Sequence, residues 1–198
     1  MRALLVHAHP RAESYGAALR DAAARGLAAG GHEVDVLDLH VDGFEPRLSR
    51  AEWADHRTAG AARAADVQDH GARLQAASAL VLVYPTWWGG PPAILKGWFE
   101  RVWVEGVAYT LPPGAARVRP LLRNLRRLVV VTTHGSPKRI NVVEGEPGKH
   151  LVGRQLRALC HPLARTRWLA LYGMDTAAEA ERRAFLARVE RRLARPRL

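Results

Sequence analysis

Short apolar runs alternate with stretches of helical periodicity along this chain of 198 residues. Continuous apolar runs of this length are typical of parallel strands that helices cover on both faces. The pattern predicts five strands, at residues 3–8, 34–39, 79–84, 128–133 and 166–172. It predicts helices at residues 14–30, 64–77, 92–104, 149–160 and 176–195. The second strand alternates apolar and polar residues, as expected near a sheet edge.

Strands that alternate with helices predict an α/β fold. Right-handed crossovers then favour a doubly wound parallel sheet of order 2-1-3-4-5, whose switch point lies between strands one and three. The chain contains no repeat, low-complexity tract or internal linker, so we expect a single domain over residues 1–198. The span 40–63 has little periodicity and is longer than a simple connection between a strand and a helix.

A Gly- and Pro-rich aromatic segment follows the third predicted strand. Residues 84–90 read Tyr-Pro-Thr-Trp-Trp-Gly-Gly, and residues 91–102 read Pro-Pro-Ala-Ile-Leu-Lys-Gly-Trp-Phe-Glu-Arg-Val. In open α/β sheets, cofactors bind at the carboxyl ends of the strands near the switch point. A core helix with a buried aromatic cluster would explain the apolar positions of the second half, but not the Trp-Trp-Gly-Gly-Pro-Pro loop.

Two further loops leave the same predicted sheet edge. The loop that begins at His7 runs into a helix at Ser14, where free backbone N–H groups and the helix dipole favour a phosphate. Ser14 could also be only the N-cap of that helix, since serine is a preferred cap. The loop at residues 132–136, Thr-Thr-His-Gly-Ser, follows the fourth strand. We expect the three loops to meet at one site.

These three segments resemble those of the NAD(P)H:quinone oxidoreductases and their bacterial relatives, a flavodoxin-like family. The match is ungapped from Pro85 to Val102. The resemblance implies a flavodoxin-like fold and a flavin bound by the three loops. It implies cofactor contacts for His9, Ser14, Tyr15 and Gly16 in the first loop, for Pro85, Thr86, Trp87, Trp88 and Gly89 in the second, and for Thr132, Thr133, His134 and Gly135 in the third.

The chain departs from the family pattern at several positions. Gly16 stands where the family usually has Asn, so one side-chain contact to the phosphate would be missing. The Tyr and His that take part in the family's redox step fall at Ile140 and Glu146, so those roles do not carry over. His134 replaces a Gly and is the candidate catalytic residue, either as a proton donor or merely as a loop histidine.

The resemblance implies an enzyme that takes a hydride from NADH or NADPH onto a flavin and passes two electrons to a quinone or similar acceptor by a ping-pong cycle. It also implies a homodimer, and the aromatic residues Trp87, Trp88, Trp103 and Tyr109 would suit its interface. The family includes ancillary subunits of potassium efflux systems. A regulatory flavoprotein that binds a membrane antiporter is therefore an alternative.

The sequence favours FAD over FMN, with FMN as the alternative. An adenosine half would need extra chain to cover it, and the span 40–63 supplies such chain. Gln68 is the residue that we expect nearest to the diphosphate and adenine. Alternatively, the span builds the dimer interface through Phe44 and Trp53. No motif distinguishes NADH from NADPH.

Composition narrows the function classes. The formal charge of +11 raises the possibility of nucleic-acid binding, but no recognition motif accompanies it, and the arginines of the last helix alternate with apolar residues as on a solvated face. We expect no nucleic-acid partner.

The single cysteine, Cys160, is expected to be a small buried residue, without a disulfide or a metal site. No apolar run approaches the ~20 residues of a membrane span, and no signal-peptide cleavage site is visible, so we expect a cytoplasmic protein.

Overall fold

Five parallel strands form the central sheet of the computed structural model, which describes residues 1–55, 58 and 63–196. The strands are β1 (Arg2–His7), β2 (Glu33–Asp38), β3 (Ala79–Pro85), β6 (Arg127–His134) and β7 (Arg165–Tyr172). Two short strands, β4 (Tyr109–Thr110) and β5 (Arg119–Pro120), form a separate antiparallel pair. The helices are α1 (Tyr15–Ala29), α2 (Arg50–Asp55), α3 (Ala65–Ala76), α4 (Ala93–Val102), α5 (Lys138–Val143), α6 (Pro147–His150) and α7 (Glu179–Leu193).

The strand order is β2-β1-β3-β6-β7, which confirms the predicted order 2-1-3-4-5 and the flavodoxin-like fold. Alternate residues of each strand face the two sides of the sheet. On β1, Leu4 and Val6 pack into one core cluster, while Ala3 and Leu5 pack into the other. Helices α1 and α7 lie together on the second side, where Phe185 joins the cluster of Leu5. Neighbouring carboxyl ends therefore meet at one edge of the sheet.

The helical segments differ from the prediction in three places. The predicted helix at 149–160 is α6 followed by a π-helical segment, Leu151–Leu156, and a 3₁₀ turn, Arg157–Leu159. Helices α2 and α5 were not predicted, because six residues are too few for helical periodicity to show. Residues 56–57 and 59–62 of the long connection lie outside the described residues.

Two of the aromatic residues assigned to an interface are placed differently from expectation. Trp103 is only 6% exposed and makes edge contacts with Trp98 and Phe99, so it belongs to the core. Tyr109 is half-buried against that core. Phe44, proposed as an alternative interface residue, is also buried. The sequence pattern did not indicate that Trp103 is buried, because its side chain turns inward just beyond the end of α4.

The long connection is held against α4 by the second half of the aromatic motif. A Cβ atom at Gly97 would lie 2.2 Å from the carbonyl oxygen of Pro46, so only glycine allows the connection to pass this closely.

Cys160 is buried, and burial raises the pKa of its thiol to about 12. Within residues 1–55 and 63–196, no helix combines the length and the apolar character that crossing a bilayer requires.

Candidate functional site

A cleft of about 590 Å³ opens at the carboxyl edge of the sheet, at the predicted switch point between β1 and β3. It is lined by residues from the loops that follow β1, β3, β6 and β7. The predicted residues that line it are His9, Ser14, Tyr15, Gly16, Pro85, Thr86, Trp87, Thr133 and Gly135. Segments that are far apart in the sequence are therefore adjacent here.

Six lining residues were not predicted, and these are Arg11, Glu13, Leu19, Tyr84, Met174 and Asp175. The first three lie within the first loop and the first turns of α1, so their neighbours already indicated them. Met174 and Asp175 follow β7 at the same sheet edge. The rule that ligands bind at the carboxyl ends of the strands would have identified this fourth loop.

The amino terminus of α1 points free N–H donors toward the cleft. Ser14 is the N-cap, and its Oγ accepts a hydrogen bond of 3.0 Å from the backbone N–H of Ala17. The amides of Tyr15 and Gly16, in the first turn, have no acceptor within the helix. A Cβ at Gly16 would lie 3.1 Å from the ring of His9, so this glycine lets the helix start pack closely against that side chain.

Tyr15 is anchored rather than free. Its hydroxyl donates to the carbonyl oxygen of Arg182 on α7 at 2.8 Å. Burial raises the pKa of this phenol to about 12. The ring therefore forms a fixed, neutral wall of the cleft.

The second loop forms a two-residue hairpin. Trp87 and Gly90 exchange backbone hydrogen bonds of 2.9 and 3.0 Å across the turn. Trp88 (φ 49°) and Gly89 (φ 74°) occupy the two central positions, both with the positive φ that a type I′ turn requires. A left-handed conformation costs a non-glycine residue about 1–2 kcal/mol. The fold thus keeps a fully exposed tryptophan in an unfavourable conformation at the tip of the hairpin.

This hairpin limits which amides remain for a ligand. The N–H of Thr86 donates to the carbonyl oxygen of Thr133 at 2.8 Å, and the N–H of Trp87 is used within the hairpin. Among the predicted contact residues of this loop, only Trp88 and Gly89 therefore retain a backbone N–H that is not used within the hairpin or by Thr133. Gly89 is further fixed because its carbonyl accepts from the N–H of Gly148 at 3.0 Å.

Trp88, Gly89 and His134 line a small neighbouring cavity of about 160 Å³ rather than the main cleft. Thr86 and Gly135 line both cavities. The two cavities are therefore adjacent, and these two residues form their shared boundary.

His134 belongs to a chain of polar and aromatic contacts. Its Nε2 lies 3.4 Å from Thr86 Oγ1, and that hydroxyl is 2.9 Å from Thr132 Oγ1. The His134 ring stacks on Tyr172 with centroids 4.6 Å apart. The Tyr172 hydroxyl donates to Glu146 Oε1 at 3.0 Å. Thr132 itself is fully buried beneath Thr86 and does not line the cleft.

The titration behaviour of this group follows from burial. Burial lowers the pKa of His134, which favours the neutral imidazole. Burial and the hydrogen bond to Glu146 raise the pKa of Tyr172 to about 12. The Lys149 ammonium, 2.9 Å from Glu146, is the main group that lowers the pKa of that carboxyl. At neutral pH the arrangement is a neutral histidine stacked on a neutral phenol that donates to a carboxylate.

The Asp175 side chain of the fourth loop packs against Gly135 of the third loop. A Cβ at Gly135 would lie 2.6 Å from the Asp175 carboxylate. A larger residue here would displace the Asp175 carboxylate from its present position. The carboxylate lines the cleft as a hydrogen-bond acceptor.

Gln68 lies outside both cavities. It occupies the first turn of α3, where its side-chain amide donates to the carbonyl oxygen of Arg63 at 2.6 Å. The residue is exposed.

Comparison with known proteins places these features in a family. A family model described as a flavodoxin-like fold matches residues 1–193. The chain is 33% identical to NAD(P)H dehydrogenase (quinone) 1 of Rattus norvegicus over 150 residues, which cover 68% of this chain and 54% of that protein. It is 27% identical to ribosyldihydronicotinamide dehydrogenase (quinone) of Mus musculus, covering 97% of this chain and 90% of that protein.

A solved structure is similar over nearly the whole chain. The NAD(P)H:quinone oxidoreductase from Methanothermobacter marburgensis superposes with a TM-score of 0.84 and 27% identity, covering 98% of this chain and 96% of that one. The chain spans about half the length of the rat protein, 54%. The resemblance seen in the three loop motifs is confirmed by these matches. The chain belongs to the flavodoxin-like family that includes the NAD(P)H:quinone oxidoreductases.

Proposed function

We propose that this protein is a flavin-dependent NAD(P)H oxidoreductase that passes two electrons to a quinone or a similar acceptor. The observation that carries the proposal is the convergence of three loops, each with a flavin-binding motif of the family, on one cleft at the switch point of the sheet. The names of the rat protein and of the Methanothermobacter structure support the same activity.

The donor groups of the cleft suit a flavin phosphate. The N–H groups of Tyr15 and Gly16 and the positive end of the α1 dipole favour an anion, and Arg11 lies in the same cleft. The Ser14 hydroxyl already accepts from Ala17. It can therefore still donate its own proton to a phosphate oxygen.

The remaining loops suit a flat ring. Pro85, Thr86 and Trp87 form one side of the cleft, and Gly135 presents backbone without a side chain. Hydride chemistry would be supplied by the bound flavin. The protein's part is to hold the ring, to exclude water, and to place N–H donors where negative charge develops.

His134 is the residue that we propose as the proton donor of the site. Its ring is held by Tyr172 on one side and by Thr86 at Nε2. Its Nδ1 is buried and finds no hydrogen-bond partner among the described residues. Because burial favours the neutral imidazole, this ring must take up a proton before it can donate one.

We propose FAD as the cofactor, with FMN as the alternative that the test must separate. The main support is the long connection after β2, which packs closely against α4 where Pro46 meets Gly97. Gln68 is the residue proposed to approach the adenosine half. Because Gln68 does not line the cleft, this role requires the adenosine to extend beyond it.

We also propose a homodimer in which the exposed hairpin contributes to the interface. Trp87 is 61% exposed and Trp88 is fully exposed. Next to them lies an apolar cavity of about 750 Å³, whose lining includes Pro46, Pro91 and Ile94. Sedimentation equilibrium would test the homodimer. We expect twice the mass of the chain at micromolar concentration, and the mass of a monomer would contradict the proposal.

The decisive experiment is reconstitution with an equimolar mixture of FAD and FMN. We expect one flavin per chain in the visible absorption spectrum and bleaching of that absorption by NADH or NADPH without oxygen. Mass spectrometry of the released flavin then identifies the cofactor, and a Gln68→Ala variant tests the adenosine contact. Absence of stoichiometric flavin would refute the proposed function, whereas recovery of FMN would overturn only the choice of FAD and the role of Gln68.

A further inference from the structure

A stripe of arginines follows one side of the last helix. Arg188, Arg191 and Arg192 are spaced i, i+3 and i+4 and share one face of α7, and Arg195 follows just beyond the end of the helix. With Ala194 they line a groove of about 560 Å³. This spacing usually marks a buried apolar stripe. Here that role belongs to the adjacent stripe of Phe185, Val189 and Leu193.

Two arginines of the sheet extend the cluster. Arg127 on β6 and Arg167 on β7 lie on the side of the sheet that α7 covers, as Val129 and Leu169 of the same strands show. Burial and the nearby guanidinium groups of Arg192, Arg195 and Arg127 lower the pKa of Arg167. Arg127 and Arg167 therefore lie close to Arg192 and Arg195 of the groove, although neither of the two sheet arginines lines the groove itself.

Among the residues that the structure describes, the cluster contains no counter-charge. Within the described part of the chain, none of these six side chains forms a salt bridge. Neither β6 nor β7 contains an acidic residue. On α7, Glu179 and Glu181 lie in the first turn, and Glu190 is paired with Arg25 of α1 at 3.0 Å.

Two buried donors point to a missing acceptor. Arg127 Nε and Arg167 Nη1 are both shielded from solvent and have no hydrogen-bond partner in the described residues. Buried N–H donors without an acceptor are rare in folded proteins and call for a bound ion or water. Arg191 and Arg192 lie in the last turn of α7, where their positive charges interact favourably with the helix dipole. That interaction does not explain why Arg127, Arg167 and Arg188 lack an acidic partner among the described residues.

We propose that this arginine cluster binds an anion that carries two or more phosphate groups. Planar guanidinium groups bind phosphate oxygens in pairs, and several of them in one groove suit a multivalent phosphate better than a single carboxylate. The cluster lies beside the β6 and β7 residues nearest the amino ends of those strands, whereas the flavin cleft lies at the carboxyl edge. The site is therefore separate from the proposed flavin site and does not depend on it.

The test is calorimetric titration of the full chain with tripolyphosphate at constant ionic strength. We expect saturable binding of one tripolyphosphate per chain. The double variant Arg188→Gln/Arg192→Gln should bind at least tenfold more weakly. The matched control Arg117→Gln/Arg119→Gln removes the same charge from exposed residues elsewhere and should change the affinity less than twofold.

A further variant separates a shaped site from diffuse charge. Arg167→Lys keeps the charge but loses the planar group, so we expect a loss of affinity of severalfold with an unchanged circular dichroism spectrum. Equal weakening in the two double variants would mean that only the net charge attracts the anion, and the site would be refuted. Absence of saturation in the wild-type chain would refute it as well.

Vesicles distinguish the two sources of such a phosphate. Binding of tripolyphosphate without binding to phosphatidylglycerol vesicles assigns the site to a soluble ligand. Vesicle binding that tripolyphosphate displaces assigns it to a lipid headgroup, and the site stands in both cases. Binding to vesicles or to duplex DNA without saturable tripolyphosphate binding overturns the proposal.

Discussion

Arg101 of α4 and Glu52 of α2 form a buried ion pair, with Arg101 Nη2 at 2.6 Å from Glu52 Oε1. The Arg101 side chain is 5% exposed and also donates to Asp66 Oδ2 at 3.1 Å. Its guanidinium lies over the Phe44 ring. One residue of the aromatic motif therefore fastens α2, α3 and the start of the long connection to α4, and it does so away from the cleft.

Replacing Arg101 by Met should lower the free energy of unfolding by about 3–5 kcal/mol, because it leaves the Glu52 carboxylate without its partner in a largely buried place. Chemical denaturation would measure the loss. The control is Arg183→Met, which removes an exposed i,i+4 pair with Glu179 and should cost less than about 1 kcal/mol. Equal losses of unfolding free energy in both variants would show that the Arg101–Glu52 pair stabilises the fold no more than an exposed ion pair does.

Ser14→Asp should abolish tight flavin binding while the fold survives. An aspartate caps α1 as well as serine does, but its carboxylate would repel a phosphate at the same helix start by about 4 kcal/mol at 4 Å and an effective dielectric of ~20. We expect flavin affinity to fall by more than about 100-fold in fluorescence titrations. The control Ser14→Asn keeps the cap without the charge. Retained affinity in the Asp variant would mean that Ser14 is only a helix cap.

Trp88→Asn should stabilise the free protein and impair the site. Asparagine tolerates the left-handed conformation that Trp88 adopts, and the side chain of Trp88 is fully exposed, so little packing is lost. We expect the free energy of unfolding to rise by about 1 kcal/mol. Flavin affinity, measured in parallel, should decrease. A less stable variant would show that the tryptophan makes contacts that outweigh the strain of its backbone.

His134→Phe should weaken the acid sensitivity of the fold. Because the folded protein lowers the pKa of His134, the unfolded chain takes up a proton first as the pH falls below about 6.5, and the free energy of unfolding falls. Phenylalanine keeps the stacking on Tyr172 but cannot titrate. We expect the unfolding free energy to depend less on pH below about 6.5, by at most about 1.4 kcal/mol per pH unit.

The matched control for that measurement is Tyr172→Phe. It removes the hydrogen bond to Glu146 and leaves the histidine and an aromatic ring in place. Its pH dependence should follow the wild type. If His134→Phe also follows the wild type, burial of His134 does not contribute to acid sensitivity.

The sequence by itself determined the arrangement that positions the site. Short apolar runs and one alternating strand, separated by helical stretches, determined the five-stranded sheet, because a sheet covered on both faces buries such runs, and right-handed crossovers determined its order. Once the order is set, the carboxyl ends of β1, β3 and β6 must meet at one edge. The convergence of the first, second and third loops on the cleft follows from this. The cap at Ser14 could also be read from the sequence, since serine is a preferred N-cap.

Only the tertiary structure decided which groups of these loops remain available. The hairpin at Trp88 uses the amides of Trp87 and Gly90, and the stacking of His134 on Tyr172 joins residues from two strands. Whether Trp103 faces the core or the surface depends on the backbone direction after α4, which no local pattern encodes. Such contacts join residues far apart in the sequence, and their distances are set by the packing of whole helices on the sheet rather than by local preference.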